Sequence, residues 1–228
     1  MSGITGTGFR TIVMLVISLM ACQFVQAQNV SLGIKGGFIA DSDMKRVTGG
    51  DSESKSYIFG PTFEAQLPFE KISIETSLLY HRVGYRSSFK AFSSTYIDQV
   101  RGDLFEVSLL LKYYPFGTGS TIQPFISGGP AIRNLANATK KDIVIGIEPV
   151  TGQQMVSTYE SNVISRSGPF GLSIGAGVLS KSGRVRFSPE IRYTKWSGIL
   201  FDDAGSHGYT VESSTNKLEF MFNLSFVL

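Results

Sequence analysis

The segment "NKLEFMFNLSFVL", residues 216–228, places Leu218, Phe220, Phe222, Leu224, Phe226 and Leu228 at every second position. Lys217, Glu219, Met221, Asn223, Ser225 and Val227 alternate with them. A period of two marks a β-strand with one apolar face. Seven earlier segments repeat the pattern: "VSLGIKGGF", "YIFGPTFEAQL", "ISIETSLLYHR", "LFEVSLLLKYY", "QPFISGGPAIR", "FGLSIGAGVL" and "VRFSPEIRYTKW". Each is close to the ~9–11 residues that a tilted strand needs to cross a bilayer. An even number of such strands suits a closed antiparallel barrel.

The connections alternate in length. Long polar stretches follow the first, third, fifth and seventh segments, whereas "PFEK", "PFGTGST" and "SKSGR" follow the second, fourth and sixth. The expected fold is therefore all-β: an eight-stranded antiparallel transmembrane β-barrel with short periplasmic turns and long extracellular loops. Both ends of the barrel segment fall on the side of the short turns.

The two faces differ in kind. One register collects Val30, Leu32, Ile34, Phe59, Ile74, Leu78, Val107, Leu109, Ile126, Leu172, Ile174, Phe187 and Ile191, and it carries no charge. The other holds Lys35, Glu64, Glu75, Glu106, Lys112, Arg133, Arg186, Glu190, Arg192, Lys217 and Glu219, interspersed with Ser, Thr and Gly. Charges cannot share one dry core unpaired, so the apolar register is expected to face lipid and the charged one to line the lumen. A soluble lipocalin-like barrel would be the reverse. An arginine or lysine on the lipid face near mid-bilayer would cost ~2–4 kcal/mol, which explains its exclusion.

The lumen of eight strands is only wide enough for side chains to fill it. Six basic and five acidic residues there predict an ion-pair network that plugs the interior, with Arg186, Glu190 and Arg192 on one strand face as its strongest part. A narrow path for ions or small solutes between the charges is the alternative. Closure requires the last strand to pair with the first, leaving no open edge in hydrocarbon. Pro61, Pro124, Pro130 and Pro189 fall within strands and must each remove a ladder donor. Aromatic residues near the strand ends are expected to form two membrane-interface girdles: Tyr57, Tyr80, Phe105, Tyr193 and Trp196 on the loop side, Tyr113 and Tyr114 on the turn side.

The beginning of the chain, "MSGITGTGFRTIVMLVISLMACQFVQAQ", has Arg10, an apolar run and the small-residue pattern "VQA". It reads as a cleaved signal peptide over residues 1–27, with a barrel domain over 28–228. Cys22, the only cysteine, lies inside it. The exported chain is therefore expected to lack thiol chemistry, unless Cys22 is processed as a lipid anchor. A net charge of +3 without a dense basic stripe gives no reason to expect a nucleic-acid partner. No motif calls for a cofactor or metal.

The segments "IKGGF", "FEKISIETSLLYHRVGY", "FEVSLLLKYYPF", "PFISGGPAI" and "FGLSIGAGV" followed by "GRVRFSPEIRYTKW" resemble the outer-membrane β-barrel domain of porin-like proteins, and among them the small OmpA-type barrels. The resemblance spans nearly all of residues 28–228 and concerns strands, not a reactive site. It implies a location in the outer membrane of a Gram-negative-type bacterium, surrounding lipids, a monomer, and an unnamed partner for the loops. It also implies recognition by the barrel-assembly machinery through the terminal segment, here Phe220, Phe222, Leu224, Phe226 and Leu228. Lipid-modifying enzymes occur on such barrels, and His81 shares a face with Ser77 and Glu75, while His207 neighbours Ser206. The His-x-Ser spacing of the known deacylases is absent, however, so the expected role is structural or interactional and not enzymatic.

Overall fold

The computed structural model describes residues 29–40, 44–46, 50–52, 56–68, 71–91, 94–116, 120–147, 153–162, 170–198, 202–204 and 210–228. The expected signal peptide with Cys22, and His207 with Ser206, lie outside the described residues. Eight strands build the barrel: β1 (Asn29–Ile39), β2 (Tyr57–Gln66), β3 (Ile72–Ala91), β4 (Ser94–Tyr113), β5 (Ile122–Ile147), β6 (Phe170–Ser182), β7 (Val185–Trp196) and β8 (Asn216–Val227). Each pairs antiparallel with its neighbour in sequence. The circle closes where β8 meets β1, from Ser31 opposite Val227 to Ile39 opposite Glu219. Closure satisfies the backbone groups that an open edge would leave bare in hydrocarbon.

Parity then sorts the side chains. Ile34 and Leu224 sit opposite each other and are 69% and 58% exposed, whereas Lys35 and Asn223, also opposite each other, are 0% and 2% exposed. The same inversion runs around most of the barrel, with Ile126, Leu172, Ile174 and Ile191 outside and the charged residues within, whereas Phe63 and Ala65, on the outward register of β2, are covered at 4% and 0% exposed. In water this surface would expose a continuous apolar belt, at ~25 cal/mol for each Å² left unburied. It is the surface of a barrel whose outer solvent is lipid.

The prolines all fall on the outward register, and Pro61, Pro130 and Pro189 leave a local mark, whereas Pro124 pairs with Val178 in an unbroken ladder. Pairs are missing at Gly60 and Pro61 between β2 and β3, at Ser188 and Pro189 between β6 and β7, and beside Pro130 between β4 and β5. In each case the ladder resumes in the same register, as expected when a strand loses a donor without gaining a residue.

The connection after the third segment differs from the expected loop. β3 runs on to Ala91 and β4 begins at Ser94, paired without a break from Ile72 opposite Tyr113 to Ala91 opposite Ser94. Strand-forming residues continue through this stretch, including pairs Ser88–Ile97, Phe89–Tyr96 and Lys90–Thr95, so the hairpin keeps its ladder after leaving the belt. β5 likewise extends to Ile147, pairing with β4 and with the segment Gln154–Asn162. A register shift between Arg101 and Asp103 marks the passage from barrel wall to extension. Gly50–Ser52 adds to β3, and Met44–Arg46, Thr210–Ser213 and Asp202–Ala204 form a separate small sheet.

Candidate functional site: the charged lumen

All eleven charged residues expected in the lumen lie inside the barrel, each no more than 7% exposed. Their strands bring six of them into one cluster. From β1, Lys35 donates to Glu75 Oε1 of β3 at 2.5 Å and to Glu190 Oε2 of β7 at 2.6 Å. Lys112 of β4 donates to Glu64 Oε2 of β2 at 2.9 Å. Its Nζ also stands 2.5 Å from Glu75 Oε2, an ion-pair contact outside hydrogen-bond geometry. Arg192 reaches both Glu75 and Glu190 at 3.3 Å. Three cations thus meet three carboxylates, and the cluster is neutral.

Neutral groups complete it. Ser73 and the Tyr114 hydroxyl each donate to Glu64 at 2.8 Å, and Ser127 donates to Glu190 at 2.9 Å. Lys112 also lies over the Phe125 ring, 4.6 Å from its centroid. A second, smaller group sits toward the loop end: Lys217 is 2.5 Å from Glu106 and 3.0 Å from Glu219. Arg133 lies 4.5 Å above the Trp196 ring and donates to the carbonyls of Gly198 at 3.1 Å and Ser214 at 3.2 Å.

Trp196 corrects the girdle assignment. It is 1% exposed and points into the lumen, because it shares the even register of β7 with Arg186, Glu190, Arg192 and Thr194. Tyr114 is corrected in the same way: it follows the register of Lys112 and is 1% exposed. Nearness to a strand end had placed both residues, whereas parity decides their face. The other girdle residues, Tyr57, Tyr80, Phe105, Tyr113 and Tyr193, lie on the outward register. Tyr80 packs between Phe59 and Phe105, with centroids 5.6 and 5.4 Å away, and donates to Asp103 at 2.9 Å. Tyr193 donates to Asn216 at 2.9 Å. Both rings lie on the apolar face while their hydroxyls keep a polar partner.

The glycines of β6 leave room for long side chains of the lumen. A Cβ on Gly171 would stand 2.5 Å from the Trp196 ring, one on Gly175 would be 2.6 Å from Glu190 Oε1 and Ser127 Oγ, and one on Gly177 would meet Phe125 at 2.6 Å. At these three inward positions β6 carries no side chain, so that neighbouring strands can send large or charged side chains across it. The neighbours of His81 are committed elsewhere: Ser77 pairs with Ser108 at 2.7 Å and Glu75 with the cations. The terminal residues Phe220, Phe222, Leu224, Phe226 and Leu228 all face outward and are exposed.

No family model matches the chain, and no curated protein matches it in sequence. Solved structures do match. The N-terminal β-barrel domain of Pseudomonas aeruginosa OprF is 12% identical, with a TM-score of 0.41 over 89% of this chain and 100% of that one. Neisserial surface protein A is also 12% identical, with a TM-score of 0.44 over 87% of this chain and 96% of that one. The attachment invasion locus protein Ail of Yersinia pestis, solved with the heparin analogue sucrose octasulfate, is 10% identical, with a TM-score of 0.38 over 87% and 97%.

Proposed function

We propose that the chain is an integral outer-membrane protein whose barrel is closed by its own charges and serves as a scaffold for the sheet at its loop end. The observation that carries this reading is the inverted distribution of side chains: an apolar belt outside, and a neutral cluster of Lys35, Lys112, Arg192, Glu64, Glu75 and Glu190 within. Burying that many charges is costly unless each is paired, and here the pairs cross the lumen between strands. Such a network holds opposite walls together and leaves the barrel little room to conduct. The working surface is then the loop end, where β3, β4 and β5 continue past the belt and offer backbone and side chains to a partner outside the cell.

Whole-cell proteolysis tests this placement. Intact cells producing the chain should lose the loop-end segments to added protease while the belt strands remain protected in the membrane fraction. Full resistance until the outer membrane is opened, or recovery of the chain in the soluble fraction, would overturn the reading.

A further inference from the structure

Among the eleven lumen charges described above, six basic and five acidic, one cation is left over. The central cluster balances three against three, and Glu106 and Glu219 are matched by Lys217 and Arg133 in the loop-side half. Arg186 remains, 7% exposed, with no hydrogen bond or ion pair to any described residue and with its Nε buried and unpartnered. A cation whose Nε is desolvated and which faces no counter-charge is unfavourable.

Its surroundings aggravate the problem. Directly opposite Arg186 on β6 stands Lys181, on the same inward face, and like charges opposite one another in a sheet are destabilising. Opposite it on β8 is Ser225, and Ser188 follows two residues along β7, both buried. The turn at Gly183 and Arg184 is adjacent, so the group lies at the turn-end mouth of the lumen. Further polar atoms at this end, Ser31 Oγ, Asn223 Oδ1 and Gln123 Oε1, are buried without a hydrogen-bond partner. This part of the lumen is polar and carries Arg186 and Lys181 side by side.

We infer that the turn-end mouth of the lumen is an oxyanion site, in which Arg186, Lys181 and the hydroxyls of Ser188 and Ser225 take one phosphate-class group. The guanidinium offers a fork of N–H donors matched to such a group, the ammonium a point charge, and the serines two further donors. A bound oxyanion turns the repulsion between Arg186 and Lys181 into two attractions. The group is either free phosphate or the headgroup of an anionic lipid reaching in from the adjoining leaflet.

The test uses the full chain refolded in dodecyl maltoside, which contains no phosphate. Binding is read by phosphorus NMR, with inorganic phosphate in one arm and phosphatidylglycerol in the other, both at fixed ionic strength. Saturable binding is expected in at least one arm, and the arm that saturates identifies the source. Arg186→Gln should weaken it by about tenfold or more, the loss of one charge-assisted contact. Arg184→Gln, at the exposed turn, should leave it unchanged. Absence of saturable binding in both arms, or equal binding by Arg186→Gln, would overturn the proposal. If Arg186→Gln does not fold, Lys181→Gln takes its place: weaker binding supports the site and unchanged binding refutes it.

Discussion

Replacing Glu75 by glutamine probes the lumen where its charges converge. Glu75 is fully buried and faces three cations, with Lys35 and Lys112 at 2.5 Å and Arg192 at 3.3 Å. Lys35 and Arg192 donate to it in hydrogen-bond geometry, and each such charged contact is worth ~1.5–3 kcal/mol. All three cations retain a second carboxylate, Lys35 and Arg192 on Glu190 and Lys112 on Glu64, so the losses do not simply add. The substitution still leaves three cations facing two carboxylates in a dry interior. Removing one partner of a buried pair costs ~3–5 kcal/mol, a large share of the ~5–15 kcal/mol that typically separates folded from unfolded chains. The assay is urea unfolding in phospholipid vesicles, followed by tryptophan emission. Trp196 is the sole tryptophan and sits in the lumen beneath Arg133, so it reports on the same interior. Glu160→Gln is the control, since Glu160 pairs with Lys141 at 2.9 Å on an exposed surface and its loss should cost ~1 kcal/mol or less. If Glu75→Gln is no more destabilising than Glu160→Gln, the network does not hold the barrel and the reasoning fails.

Three further substitutions test other parts of the account. Ile34→Arg places a charge on the lipid face opposite Pro61 and Leu224; it should cost ~2–4 kcal/mol and lower the folding yield in vesicles, and a yield equal to wild type would contradict the face assignment. Gly171→Ala puts a methyl group 2.5 Å from the Trp196 ring; the ring must move, so tryptophan emission should shift toward that of a solvated indole, and an unshifted spectrum would refute the packing. Arg133→Met removes the stack on Trp196 and the donations to the Gly198 and Ser214 carbonyls; it should destabilise by ~1–3 kcal/mol in the same urea assay.

Much of the barrel was legible because alternation at period two leaves little freedom: once Ile34 faces lipid, Lys35 must face the lumen. The same rule would have placed Trp196 and Tyr114 inside, but their position near strand ends matched the interfacial preference of aromatic rings, and that weaker signal was followed. The extension of β3 and β4 past the belt was hidden for another reason. Outside lipid neither face must be apolar, so "RSSFKAFSSTYIDQ" carries no clean alternation and reads as a loop, although cross-strand pairing continues through it. That the glycines of β6 make room for long lumen side chains is legible, but which ones they make room for, Trp196, Glu190 and Phe125, lies on other strands. Pairing partners across the lumen, such as Lys35 with Glu190, depend on barrel closure and cannot be read from segments singly.

Single-channel recording on the refolded chain in a planar bilayer tests the central claim most directly, with a heat-dependent gel shift used first to establish that the barrel has folded. A lumen closed by its own ion pairs predicts a current at the level of the bare bilayer. Steady, reproducible openings from folded protein would contradict it and make the charged lumen a conducting path.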